Sequence, residues 1–254
     1  MESQEKFKSL RRMNIAAAIL HFCSGILMVV LSTDMKVSVF TSFLKFDAIK
    51  QTLVPDPKVW FDLPLGLLVA SFLFISALAH VLISLPKIND WYNAGLAKHI
   101  NKMRWIEYSF SSSIMIVVIS LLVGITDISA LVPIFFVNAM MILFGWMMEL
   151  QNQTTQKVDW TSYIFGCIAG VAPWIVIALY LASPGSVSNP PTFVYWIFFS
   201  IFIFFNVFAI NQVLHYKKTG KWADYLYGER TYIVLSFVAK SLLAWQVFAG
   251  TLRP

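Results

Sequence analysis

A lysine in the middle of an apolar segment is the residue of this chain with the most chemistry to explain. Lys240 lies nine residues beyond Thr231 in the run Thr231–Leu252, ~14 Å along a helix at 1.5 Å per residue and so near the centre of a ~30 Å hydrocarbon core. A bare ammonium there costs at least ~2.5–3.5 kcal/mol, so it needs a partner or a chemical task. One task is covalent: condensation with an aldehyde makes an imine, whose positive charge a nearby carboxylate holds. The other is an ion pair that serves structure or transport. Glu107 is the partner for either. It stands about one turn inside its own span, after Arg104, and the lysine side chain reaches ~6 Å back toward that level. Ser236, one turn before Lys240, and Ser111, one turn after Glu107, lie on the same helix faces. They can hydrogen-bond the pair, or simply fill space as small residues between membrane helices.

Two histidines reach a similar depth. His21 and His80 share the half of the membrane that holds Glu107, which favours a polar, water-holding cavity over two isolated core histidines. Arg104 and Glu149 sit at helix ends on that same side and can pair as a structural lock. The other half has hydroxyls and amides but no carboxylate before Asp127 at the boundary. A vectorial pump needs titratable groups on both sides of its switch, so the expectation is that this chain does not pump. Mid-depth positions on the third to sixth spans supply a slot for a long conjugated molecule: Ser112, Met115, Ile116, Asn138, Met141, Ile142, Gly145, Trp174, Phe202, Phe205 and Asn206. Aromatic and methionine side chains suit such a ligand, although each alone is an ordinary core residue.

These side chains are positioned by the bilayer. Of 254 residues, 58% are hydrophobic and 13% charged, about half the charge of a soluble domain. Seven apolar stretches are long enough to span, and backbone groups in hydrocarbon must bond internally, so each reads as a helix. The expected fold is an all-α membrane protein, a rhodopsin-like bundle of seven transmembrane helices forming one domain over residues 1–254. The helices run over about 13–32, 62–85, 100–125, 127–149, 160–182, 191–217 and 229–252. In the long first connection, the β-branched and aromatic stretch Lys36–Phe43 and the turn signal Pro55-Asp56-Pro57 suit either a short β-hairpin or an irregular loop. Cys23 and Cys167 read as small packing residues.

The basic residues orient the bundle. Outside the spans, Lys6, Lys8, Arg11, Arg12, Lys87, Lys98, Lys102, Arg104, Lys157, Lys217, Lys218, Lys221 and Arg230 lie on one side. Only Lys36, Lys45, Lys50, Lys58 and Arg253 lie on the other. The positive-inside rule then makes the N-terminus cytoplasmic and the C-terminus extracellular, in a multi-pass protein of the cell membrane. The net charge of +6 reflects contact with lipid headgroups and not nucleic acid. No metal-ligand spacing, phosphate loop or hydrolytic triad appears, so no enzyme is expected.

The chain resembles the heliorhodopsins along essentially its whole length. The resemblance rests on Arg104-Trp105-Ile106-Glu107-Tyr108-Ser109 running into Ser111-Ser112-Ser113, and on Asn138 through Phe144-Gly145-Trp146. It rests further on Phe208-Ala209-Ile210-Asn211-Gln212, Gly220-Lys221-Trp222 and Ser236-Phe237-Val238-Ala239-Lys240-Ser241. It implies all-trans retinal bound covalently to Lys240 as a Schiff base, Glu107 as the counterion, and a histidine-containing inner cavity at His21 and His80. It also implies a homodimer, a cytoplasmic N-terminus, and a slow photocycle without ion pumping. Arg104 and Glu107 keep the arginine-then-acid spacing of ordinary microbial rhodopsins. Their proton-donor carboxylate is Val118 here, and their second counterion is Ser236. The expected function is therefore a light sensor acting on an unidentified cytoplasmic partner. A light-driven or light-gated ion transporter and a chromophore-free small-molecule carrier are the alternatives.

Overall fold

A computed structural model of the chain describes residues 2–182 and 190–253. Its elements are α1 (Glu2–Leu31), a hairpin of β1 (Lys36–Asp47) and β2 (Thr52–Pro64), α2 (Leu65–Ser84), α3 (Pro86–Leu96), α4 (Lys102–Leu122), α5 (Ile128–Gln151), α6 (Thr161–Leu181), α7 (Thr192–Tyr216) and α8 (Tyr225–Val247). Among the described residues, seven of these helices, all but α3, are long and apolar enough to cross a bilayer. The chain is a multi-pass membrane protein built as a seven-helix bundle.

The first and last helices begin earlier than the apolar runs suggest. Nothing in Glu2–Leu10 breaks a helix, and fully buried Leu10 gives that polar extension a docking point among Tyr92, Leu96 and Tyr225. The last helix starts at Tyr225 because the Asp224 carboxylate accepts the Leu226 amide hydrogen at 3.0 Å, satisfying one of the free donors of its first turn. Asn101 and Asp127 cap α4 and α5 in the same way. Between α4 and α5 the chain reverses at Gly124, whose φ of 92° a side chain would oppose. This keeps the two helices a tight antiparallel pair.

The first connection is a two-stranded antiparallel ribbon, longer than the stretch that suggested it. Pro55 and Pro57 do not make its turn, which falls at residues 48–51. They lie within β2 opposite Leu44 and Ser42. Both strands of a lone ribbon are edges, and residues two apart point their N–H positions to one side. Two prolines so spaced can therefore share the outer edge without losing a ladder hydrogen bond. The ribbon is rooted on the bundle by the Phe40 amide, which donates to the Thr126 carbonyl at 2.9 Å, and by the buried side chain of Val39. The short helix α3 was not expected. Its polar composition hides eleven residues that lie across the opposite end of the bundle, with Asn89, Tyr92 and Leu96 turned inward.

Two apolar clusters bracket the bundle. The larger fills the hairpin half, with Met28, Val39, Phe72, Ile119, Ile197 and Val247 among its members. The smaller closes the end where α1 begins. Lipid solvates apolar side chains, so close contact and not hydrophobic burial holds such helices together. Gly145 admits the Trp105 ring and Gly170 the Met141 thioether at distances that a Cβ would forbid. Cys23 and Cys167 are both free and exposed, Cys167 in the wall of the large cavity described below.

Candidate functional site

Between the two apolar clusters lies a layer of buried polar side chains, with Lys240 at its centre. Its Nζ donates to Glu107 Oε1 at 2.6 Å and to Ser236 Oγ at 2.9 Å. It also stands 4.9 Å from the centre of the Tyr108 ring, within range of a cation–π contact. Helix periodicity brings these groups together: Ser236 and Lys240 are four apart on α8, and Glu107, Tyr108 and Ser111 share the buried face of α4. Ser111 lies close to the carboxylate without the geometry of a full hydrogen bond. One partner escaped the sequence reading. Ser76 on α2 donates to Glu107 Oε1 at 2.6 Å, from a helix whose serines look like packing residues.

His80 and His21 follow on α2 and α1, stacked 5.8 Å apart at an interplanar angle of 10°. His80 Nδ1 lies 2.8 Å from Asn14 Oδ1, while neither ring nitrogen of buried His21 has a hydrogen-bond partner among the described residues. A cavity of about 30 Å³ runs between Glu107, His80, Asn14, Asn101, Arg104 and Glu229. Polar side chains reach it among apolar ones such as Ile83, Met103 and Ile233, and it has room for about one water. His80 is in its wall; His21 sits behind His80 and does not line it.

Arg104 and Glu149 do pair, but as two parts of a three-residue cluster. The guanidinium donates to both Glu149 and Glu229 and lies between the Trp105 and Tyr232 rings, 4.4 and 4.0 Å from their centroids. Trp105 Nε1 donates to Glu149 Oε2 at 2.6 Å. Asn101 joins both acids: its amide donates to Glu149 at 2.9 Å and its side chain to Glu229 at 2.6 Å. Two carboxylates therefore share one cation, in a site where all three side chains are at most 5% exposed. Glu229 was missed because it adjoins Arg230 at the start of a span, where a charged pair reads as loop.

On the other side of Lys240 opens an apolar cavity of about 600 Å³, within the ~300–1,000 Å³ usual for small-molecule sites. Of the residues the sequence assigned to the slot, Ser112, Met115, Met141, Ile142, Gly145, Trp174, Phe202, Phe205 and Asn206 line it, together with Ser111, Ser236 and Lys240. Ile116 and Asn138 are not in the wall. Ile116 is fully buried in the larger core, and Asn138 lies behind the wall, donating to Ser112 Oγ at 2.8 Å and Ser113 Oγ at 3.1 Å. Tyr108 and Tyr232 border both cavities and separate them. Val171, Ile175 and Phe199 line the large cavity and are also exposed, so it reaches the lipid-facing surface between α6 and α7. The donor set fits an elongated apolar aldehyde. Aromatic rings and methionines contact its length, and the single amine in the wall already has a carboxylate beside it.

No curated protein matches the chain. The heliorhodopsin family model matches residues 10–252, nearly its entire length. The chain belongs to the heliorhodopsin family.

Proposed function

We propose that the protein is a light sensor in which Lys240 carries all-trans retinal as a protonated Schiff base and Glu107 is its counterion. The observation that carries this reading is the 2.6 Å contact between the two side chains at the wall of the apolar cavity. Retinal would supply light absorption and a change of shape. Glu107, with Ser76 and Ser236, holds the positive charge; Trp174 and the surrounding rings confine the ligand; Tyr108 and Tyr232 keep the cavity apart from the polar layer. Added to the purified protein, all-trans retinal is expected to produce a visible absorption band that Lys240→Ala abolishes. A band of equal strength in that variant would end the proposal and leave the carrier reading. Gly145→Val is expected to cut the amplitude of the band severalfold while the helical circular dichroism stays, because the new side chain displaces Trp105 into the cavity.

The same reading includes orientation and transport. The basic excess on the α1 side supports a cytoplasmic N-terminus and an extracellular C-terminus. The polar layer lies toward that inner side, and the hairpin half is apolar core, which supports signalling in place of ion pumping, with a slow return to the dark state. Light-induced pH changes or currents in vesicles, abolished by a protonophore, would favour the transporter instead. We assign the exposed apolar residues of the ribbon, Phe43, Leu44, Phe46 and Trp60, to contact with a second copy in a homodimer. The signalling partner would meet the inner face.

A further inference from the structure

The inner end of the bundle contains a second group of titratable side chains that the proposed photochemistry does not use. His99, in the connection between α3 and α4, lies face to face on Tyr225, with ring centroids 4.6 Å apart and planes within 9°. His215, in the last turn of α7, meets the same ring at 4.5 Å and 44°. One phenol thus joins the α3–α4 connection, α7 and α8. Both histidines are placed by their backbones. His99 has a φ of 58°, a left-handed conformation that histidine adopts more readily than most residues, and it ends α3 with its amide and that of Ile100 bonded back to Leu96 and Gly95. His215 packs on the backbone of Gly228, where a Cβ would come within 3.1 Å of Nδ1.

The stack also covers something. Tyr225 belongs to the small apolar cluster closing this end, and its hydroxyl lies beside Glu229. Two residues beyond His99, Asn101 holds both Glu149 and Glu229. The connection that the stack clamps is therefore the one that seals the Arg104 cluster.

We propose that the His99–Tyr225–His215 stack is a proton-operated latch, which clamps the α3–α4 connection over the buried carboxylate pair and releases it when the inner side acidifies. Lys218, His215 and Tyr225 surround His99. Tyr216, Tyr225, Glu229, Arg104 and Asp224 surround His215. Partial burial, and then the nearby Lys218 ammonium, hold the His99 imidazole below its ordinary range. A lowered value means that the stacked state prefers the neutral ring. The latch is fully closed above the free-imidazole value of ~6.5 and weakens as pH falls below it, through the value in the stack.

Hydrogen exchange on the detergent-solubilised full chain tests this with or without retinal. Both faces are then in one buffer, so the result does not depend on the orientation or the chromophore proposed above. The amides of His99, Ile100 and Asn101 are all hydrogen-bonded, so their exchange reports opening. Corrected for the intrinsic rate, their protection is expected to fall between pH ~7.5 and ~5 by up to about thirtyfold for each imidazole released, the ceiling set by pH ~5 lying about 1.5 units below the free-imidazole value of ~6.5. Asn152 and Asp159 in the α5–α6 connection should keep theirs. His99→Phe with His215→Phe keeps three stacked rings without a titrating group and should give a flat profile. Tyr225→Leu should lower protection at both pH values. His99→Phe alone, at the exposed position, should lessen the response. A flat profile in the unaltered protein, or an undiminished response in either phenylalanine variant, would overturn the latch.

Discussion

Glu107→Gln is expected to make the reconstituted protein lose its visible colour at a pH where the unaltered chain keeps it. Unit charges 4 Å apart interact by about 4 kcal/mol at an effective dielectric constant of 20, equivalent to about three pH units of protonation equilibrium. Removing the negative partner disfavours the cationic form, so the proton should leave at a pH lower by about that amount. Whatever remains protonated should absorb at longer wavelength, since no local charge pins the positive end. Ser236→Ala removes a hydrogen bond that the cation donates, worth ~1.5–3 kcal/mol, and should move the titration the same way by a smaller step. A pH titration of the visible band measures both. If Glu107→Gln left the midpoint in place, the counterion would be another group.

Arg104→Met is expected to be the most destabilising single change in the bundle. It strands Glu149 and Glu229 beside each other in a site with almost no solvent contact, and removing one member of a buried ion pair costs ~3–5 kcal/mol. Because membrane proteins commonly unfold irreversibly, the measure is the inactivation half-life of the solubilised protein. Adding Glu149→Gln and Glu229→Gln to Arg104→Met should restore much of the lost lifetime, since no uncompensated charge then remains. Failure of that rescue would mean that the guanidinium acts through its contacts with the Trp105 and Tyr232 rings, and not through its charge.

These two predictions rest on residues of very different legibility. Lys240 and Glu107 stand out in the sequence because a charge inside an apolar run has few uses, and helix periodicity then places Ser236 and Ser111 beside them. The spans were readable for the same reason: hydrocarbon permits so few backbone solutions. Glu229 and Ser76 carry no such mark. An acid at a helix start looks solvated until the fold closes over it, and a membrane serine looks like a spacer until a carboxylate from another helix arrives. The polar helix α3 was invisible because the cluster that receives Tyr92 and Leu96 is completed by Leu10 of α1 and Tyr225 of α8, distant in sequence, beside Ile83 of α2. Ile116 and Asn138 were placed in the cavity wall by depth alone, and a turn of helix separates depth from direction. Pro55 and Pro57 misled because a turn signal and an outer-edge position use the same residue type.

The apolar filling of the hairpin half has an electrical consequence. Moving one elementary charge across the whole membrane changes its energy by about 2.3 kcal/mol per 100 mV. Glu107, His80, Arg104 and Glu229 all border a single small cavity on one side of Lys240, and Glu149 joins them through Arg104. A proton passed among them travels only a small share of the field. Such a protein would respond to light almost identically in an energised and a depolarised cell, reporting illumination without registering voltage.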